Sequence, residues 1–428
     1  MSRSPVPVHR VVVVGAGYAG LMAAARLGRS PALAVTLVEP SPVFIERIRL
    51  HQWAAGQRPS ARPLTDLVAP RVTWVRARVA EIDLAGRRAV LEGGEALTYD
   101  QLVLAVGSVA DRSRVPGAAE HGLSLQTAAD CRAITAAARR GGPAAVVGLG
   151  LTGIEAACEL AEAFPGLQVT LLGRGRLADA FAPAAVAHLR ATLERLGVAL
   201  REGVEVESVA AGSLALRGGA TLACSLCVWA GGLRAPDLAA RAGLPVAADG
   251  RVLVDGALRA LGRPEVLVVG DAAHVVVGAP VQAPEEATGA GRSATEGAGV
   301  EVATAGAGVE VATAGAALRM SCAAAMPMGA HAAAEVLRRA QGLPAAALRY
   351  GSAMLCVSLG RREGLIQMLT PDDRPRPRVV RGRLAVFVKE AICRMTVVAL
   401  RAESRGVRIY DWSQPRPAIA AGAAGVCS

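Results

Sequence analysis

Residues 11–20 read VVVVGAGYAG, an apolar run broken by Gly15, Gly17 and Gly20, and the reading of the whole chain turns on them. Between a strand and a helix each glycine has a task. Gly15 makes the tight turn, Gly17 lets the backbone approach a pyrophosphate, and Gly20 lets helix and strand pack closely. Val35, Leu37 and Val38 supply the next strand, and Glu39 stands about 20 residues past the glycines, where a carboxylate binds a ribose hydroxyl. A chain with 48 glycines produces some such spacings by chance. The adenine-dinucleotide reading therefore rests on the neighbours; the alternative is an ordinary βαβ turn.

A second fingerprint follows. Ala144 to Val147 reads as a short buried strand, GLGLTGIE carries Gly148, Gly150 and Gly153, a helix runs through Ala161, and Val169 to Leu172 is a further parallel-type strand. Two complete βαβ nucleotide units are far more specific than one. The second ends differently: Gly173 stands where a carboxylate would hold the 2′-hydroxyl of NAD, and Arg174 and Arg176 follow. A missing carboxylate with arginine nearby accommodates a 2′-phosphate, so this unit leans towards NADPH over NADH; the alternative is that both arginines are solvated loop charges. Val204 to Val209, Leu214 to Arg217 and Leu222 to Trp229 continue as strands. Cys224 and Cys227 have CxxC spacing, but in a continuous strand residues three apart face opposite sides, which argues against a redox pair. Val266 to Val269 leads into Gly270 and Asp271, placing a carboxylate at a sheet edge, where it accepts hydrogen bonds from a sugar or ribityl chain.

The chain has 428 residues, 52% of them hydrophobic, enough for two or three domains with full cores. Its formal charge is +11, with Lys389 the sole lysine, a skew that reflects coding bias. From Ala346 onward 14 Lys/Arg face 6 Asp/Glu, so +8 of the +11 lies there, which suits an acidic partner or an anionic membrane surface. With 3% aromatic residues and no base-stacking platform, nucleic acid is not expected as a partner. The eight cysteines follow no framework spacing, which fits reduced thiols in a cytoplasmic protein, and no metal site is expected. No apolar run reaches the length of a transmembrane helix.

Ser41 to Gly56, with Phe44, Arg47, Arg49, His51 and Trp53, reads either as a surface helix or as a segment lining the cofactor. Val72 to Val79, Arg88 to Leu91 and Leu102 to Val106 form a strand cluster with hairpins. Gly278 to Ala316 is a glycine- and alanine-rich insertion in which GAGVEVATA occurs twice, at 297–305 and 306–314; it reads as a disordered loop, or else as a lid over the cofactor. Tyr350 to Leu369 reads as a strand pair and Pro371 to Arg378 as a polar loop. Leu384 to Arg401 is helical, with Arg383, Glu390, Arg394 and Arg401 in one stripe and a broad apolar face. That face is covered by the protein's own core, by a second copy in a homodimer, or by a membrane interface.

In order and spacing, VVVVGAGYAG, TYDQLVLAVGS, VVGLGLTGIEAACELAE, CVWAGGL and VLVVGDAA resemble the two-dinucleotide-domain flavoproteins of the pyridine nucleotide-disulfide oxidoreductase superfamily. The chain looks most like type II NADH:quinone oxidoreductases and their bacterial relatives. The resemblance implies two Rossmann-like α/β domains for FAD and NAD(P), followed by a small α+β C-terminal module. It places the first part of the FAD domain at 1–112, the NAD(P) domain at 113–245, the second part of the FAD domain at 246–345 and the module at 346–428. It implies FAD on Gly15, Gly17, Gly20, Glu39, Gly270 and Asp271. It places NADH or NADPH on Gly148, Gly150 and Gly153 with Arg174 beside them, and Glu155 as the catalytic carboxylate near the reacting rings. From the residues alone, Glu155 equally suits a first-turn position favoured by the helix dipole.

Departures are visible too. No CxxxxC follows the first unit, and MSCAAAMPMGAHAAA at 320–334 stands in place of the glutamine-rich quinone helix of the type II dehydrogenases. There Pro327 suits a first helical turn whose amides face reduced flavin, and His331 is either packed or in contact with an acceptor. The expected activity is ping-pong transfer from NAD(P)H through FAD to a small acceptor of the quinone kind, beside which two alternatives stand. A flavin monooxygenase would need an FxGxxxH-like motif, and no phenylalanine lies between Phe44 and Phe164. A non-catalytic redox sensor or scaffold is the other. The expected location is cytoplasmic, with peripheral contact at the cytoplasmic membrane face.

Overall fold

Each glycine-rich segment nucleates a parallel sheet. The computed structural model describes residues 9–58, 61–276, 318–370 and 373–410. The first strand, His9–Val14, is buried from Val11 onward and hands the chain to helix α1 (Tyr18–Leu27), which is buried on nearly every face. Leu33–Val38 and Val72–Val75 continue the sheet in parallel on one side, Gln101–Leu104 and Arg263–Val268 on the other. Arg259–Ala260, Val252–Val254 and Ala273–Val275 complete eight strands. Continuous valine and leucine runs suit strands covered on both faces.

Two early segments differ from expectation. Val72 to Val79 is not one strand: Val72–Val75 ends, and Val79–Asp83 begins an antiparallel meander with Arg88–Leu91 and Ala96–Thr98. Nor is Ser41 to Gly56 a surface helix. A short strand and a 3₁₀ turn (Arg47–Arg49) lead into helix α2 (Leu50–Ala54), whose Leu50, His51, Gln52 and Ala54 are buried.

The chain leaves the first sheet through Val109–Ala110 and returns through Leu233–Arg234, and these two segments pair antiparallel. Between them lie a helical turn, α3 (Ala118–His121), then α4 (Ala128–Ala138), α5 (Leu151–Ala163) and α6 (Pro183–Arg195). They flank five parallel strands in the order Leu123–Ser124, Leu226–Trp229, Gly142–Val147, Leu167–Gly173, Ala199–Glu202. The expected strand Leu222 to Trp229 is broken at Cys224, because Thr221–Ala223 pairs instead with Ser213–Leu216 in a separate small sheet. With the strand broken, Cys224 and Cys227 are not held to opposite faces. Cys224 and Cys227 lie buried in one apolar cluster as free thiols, and burial pushes Cys227 up to about 12.

A short helix, α7 (Leu238–Arg241), leads back to the first sheet. The insertion 278–316 with its repeat lies outside the described residues. Helix α8 (Cys322–Ala340) then crosses α1, and Gly329 permits the approach: a Cβ there would run into the Ala19 carbonyl oxygen. Pro327 is not in the first turn. The helix starts at Ser321, whose hydroxyl caps the amide of Ala324 at 3.3 Å, so Pro327 sits in the helix interior. His331 is buried within α8, its imidazole pushed down to about 4 by burial, which is the packed alternative. Met354–Ser358, Gly364–Leu369 and Pro375–Arg381 form an antiparallel sheet. The last of these begins inside the stretch Pro371 to Arg378, whose composition reads as loop, but an edge strand tolerates Pro375 and Pro377.

Helix α9 (Arg383–Ser404) packs on α1 and on that small sheet. Ala385, Cys393, Val397 and Leu400 are buried there. The opposite face stays open: Leu384 is 61% exposed, Phe387 71% and Met395 55%. The apolar surface of α9 is therefore divided between core and solvent. Among the described residues no helix is long and apolar enough to cross a membrane.

Candidate functional site

The two glycine loops repeat one another atom for atom in their constraints. Gly15 (φ +99°) and Gly148 (φ +127°) both turn in the left-handed half of backbone space, and a Cβ on either would strike a carbonyl oxygen, of Ala105 or of Ala230. Gly20 and Gly153 let α1 and α5 begin directly against the preceding turn, since a Cβ would meet the carbonyl oxygens of Gly15 and Gly148. Gly17 and Gly150 have no atom near the Cβ position, so their backbone faces open space at a helix N-terminus. That combination of open amides and a positive dipole end fits a pyrophosphate.

Around the first loop, Glu39 accepts hydrogen bonds from the amides of Ala16 (3.0 Å) and Ser41 (2.9 Å), which holds its carboxylate beside the glycines. Gly270 (φ +69°) packs close to Ala19 and to Ala325 of α8, so Asp271 sits where α1, α8 and the strand end converge. Its Oδ2 accepts from the Ser108 hydroxyl at 2.7 Å, and the Ser108 carbonyl accepts from Arg47 at 2.9 Å. Arg47 also bonds Gln126. Ser41 to Gly56 thus does reach this edge, through Arg47, while its helical part goes elsewhere. Two carboxylates, open amides and a fixed guanidinium along one sheet edge fit a flavin dinucleotide.

The helical part meets the second unit. Glu155 is the fifth residue of α5, past the first turn, so the helix dipole does not explain it. Its Oε1 accepts from the Ser358 amide at 3.0 Å and from the Lys389 ammonium of α9, and its Oε2 lies 3.6 Å from His51 Nδ1 of α2. Burial alone would push this carboxyl up; Lys389, His51 and the Ser358 amide together hold it below its ordinary value. One helical turn on, Glu159 is fully buried, takes a hydrogen bond from Gln57 at 2.9 Å and lies 3.6 Å from Arg361. Burial pushes Glu159 up to about 7 and His51 down to about 4. Near neutral pH the cluster holds the Glu155–Lys389 ion pair, a neutral imidazole, and at Glu159 a carboxyl whose protonated form burial favours.

Lys389, Glu159 and Arg361 carry no site signal in any motif, and His51 enters the sequence reading only as one residue of the Ser41 to Gly56 segment. One signal existed: of 47 basic residues a single one is lysine. It lies inward, against Glu155. Arg174 stands at the far end of the second unit, mostly exposed and 4.0 Å from Glu205. Among the described residues the seven cysteines are free thiols.

Residues 9–294 match the family described as pyridine nucleotide-disulphide oxidoreductase. An NADH dehydrogenase-like protein of Mycobacterium tuberculosis is 36% identical over 299 residues, covering 62% of this chain and 72% of its own. The type II NADH:quinone oxidoreductase NdhA of the same species is 27% identical over 321 residues, covering 61% and 66%. Among solved structures, the sulfide:quinone oxidoreductase of Aquifex aeolicus shares the fold at a TM-score of 0.72 and 17% identity, covering 92% of both chains. With two Rossmann-type units and two thirds of its length matched, the protein belongs to the pyridine nucleotide-disulphide oxidoreductase family, whose members work with FAD and NAD(P)H.

Proposed function

We propose that the chain is an NAD(P)H:acceptor oxidoreductase in which the first unit holds FAD, the second holds the nicotinamide nucleotide, and a small quinone-like molecule accepts the electrons. Bound FAD supplies the hydride-accepting and electron-passing chemistry. Gly15, Gly17 and Gly20 seat its pyrophosphate, Glu39 its ribose, and Gly270 with Asp271 its ribityl chain. Gly148, Gly150 and Gly153 seat the second nucleotide. On this reading residues 1–112 and 246–345 serve the flavin, 113–245 the nucleotide, and 346–428 the acceptor side.

The observation that carries the reading is the Lys389–Glu155 pair, each side chain 12% exposed, placed where α5 of the nucleotide unit meets α9. A two-electron acceptor needs protons as it is reduced, and an ammonium held by a carboxylate can deliver one from Nζ. Glu155 then has a positioning and proton-holding role, with neutral His51 behind it. The exposed apolar face of α9, beside its stripe of Arg383, Arg394 and Arg401, would seat the protein on an anionic membrane surface from which a lipid-soluble acceptor is drawn. A second copy of the chain is the competing cover for that face.

Anaerobic stopped-flow on the FAD-loaded protein tests the reading. NADH or NADPH should bleach the flavin and a soluble quinone should restore it. Lys389→Met should keep flavin reduction within about threefold while slowing reoxidation by quinone roughly tenfold or more. Flavin untouched by either nucleotide overturns the proposal.

A further inference from the structure

We infer that the second nucleotide site is built for a 2′-phosphate, so that NADPH is the hydride donor; the inference rests on the function proposed above. In the first unit Glu39 reaches back to the amide of Ala16 in the glycine loop. The corresponding position at the end of Leu167–Gly173 carries no side chain, and the space is taken: a Cβ on Gly173 would lie 3.0 Å from Leu149 Cγ and 3.4 Å from the Leu149 amide. Leu149 of the glycine loop thus covers the ground on which a ribose-binding carboxylate would stand.

The neighbouring strand offers no substitute. Glu202, which pairs with Gly173 across the sheet, has both carboxylate oxygens engaged, Oε1 by the Leu177 amide at 2.6 Å and Oε2 by Arg190 at 2.5 Å. Those bonds also shape the loop that follows Gly173. The Leu177 amide ties it to Glu202, the Ala178 amide reaches the Leu149 carbonyl at 3.4 Å, and the Gly203 amide bonds the Gly175 carbonyl at 3.2 Å. The loop is pinned to the glycine turn on one side and to the next strand on the other.

What the pinned loop presents is cationic. Arg174 and Arg176 line an open cavity of about 750 Å³ with Gly175, Asp179, Arg190 and Glu202. Glu202 is matched by Arg190. That leaves two guanidiniums against the exposed carboxylate of Asp179, with Glu205 4.0 Å from Arg174 and itself paired with Arg217 at 2.7 Å. Guanidinium groups bind phosphate bidentately and have no such geometry for a neutral hydroxyl, so the site distinguishes the two nucleotides by charge and by shape.

The test is calorimetric binding to the FAD-loaded protein of adenosine 2′,5′-bisphosphate and of adenosine 5′-monophosphate, which differ only in the 2′-phosphate, together with kcat/KM for NADPH and NADH. The bisphosphate should bind at least about tenfold more tightly, with the advantage shrinking as salt rises. In the double variant Arg174→Ala with Arg176→Ala that advantage should fall below about threefold, and kcat/KM for NADPH should drop roughly 10- to 100-fold while that for NADH stays within about threefold. Both arginines are exposed, so the fold is not at risk. The converse pair, Gly173→Glu with Leu149→Ala to make room, should move preference towards NADH. Equal binding of the two probes, a tenfold preference for NADH, or discrimination unchanged in the double variant would each overturn the inference. Failure of the proposed function looks different: neither nucleotide would reduce the flavin, yet the bisphosphate would still outbind the monophosphate.

Discussion

Glu159 carries no charge partner closer than Arg361 at 3.6 Å, and its poise near neutrality has a measurable cost. Its folded pKa is raised from 4.5 to about 7. The stability tied to its neutral form is therefore complete below about pH 4.5 and is lost as pH rises through about 7. Glu159→Gln should remove that loss. Compared with the parent, the variant should gain on the order of 3 kcal/mol in denaturant unfolding between pH 5 and pH 8. A constant difference across that range would assign the buried carboxyl no titration. His51 runs the other way: with its pKa depressed to about 4, its contribution holds above about 6.5 and fades as the pH falls towards 4. None of this is legible in sequence, because Glu159 looks like one more polar residue on an amphipathic helix. Its burial is set by α2, over a hundred residues earlier, and by Arg361, two hundred later. The glycines, in contrast, act within one turn of chain, so their spacing alone places them.

At the scale of elements, α9 shows the same division. Its length and its stripe of charge follow from local periodicity, and the helix runs only a few residues beyond the expected ends. What covers its apolar faces depends on distant partners, and the answer is split: core on one side, solvent on the other. The open side carries Leu384, Phe387, Met395 and Val398. Phe387→Ser with Met395→Ser should abolish co-flotation with anionic lipid vesicles at low salt while changing unfolding by less than about 1 kcal/mol, since both side chains are already solvated. A parent protein that fails to float, but halves its sedimentation mass in the variant, would assign the face to a second copy. The third strand of the small sheet was hidden from a local reading for a related reason. Pro375, Arg376 and Pro377 spell a loop until Gly364–Leu369 offers them an edge.

For the whole molecule, α9 is the tie between the units. Lys389 joins it to α5, Arg49 grips Glu390 through two bonds of 2.7 and 3.0 Å, and buried Glu403 takes Arg26 and Arg29 at 2.8 and 2.5 Å. The first and last described helices are thus locked together. Glu403→Ala leaves two arginines crowded without their counter-charge and should cost about 3 kcal/mol or more in urea unfolding, with the C-terminal helix becoming protease-sensitive first. Loss of under about 1 kcal/mol would make the triad incidental.

The paired crossing of Val109–Ala110 with Leu233–Arg234 has a consequence for how the chain is made. All five strands of the second sheet lie between those two segments, together with the small meander of Val206–Ala210, Ser213–Leu216 and Thr221–Ala223, so that sheet can close while its synthesis is barely past Arg234. The first sheet cannot. Gln101–Leu104 keeps an unpaired edge until Arg263–Val268 emerges, some 160 residues later. On the ribosome the later-starting half should finish first, and the exposed edge of the earlier half is where a nascent chain would need a chaperone.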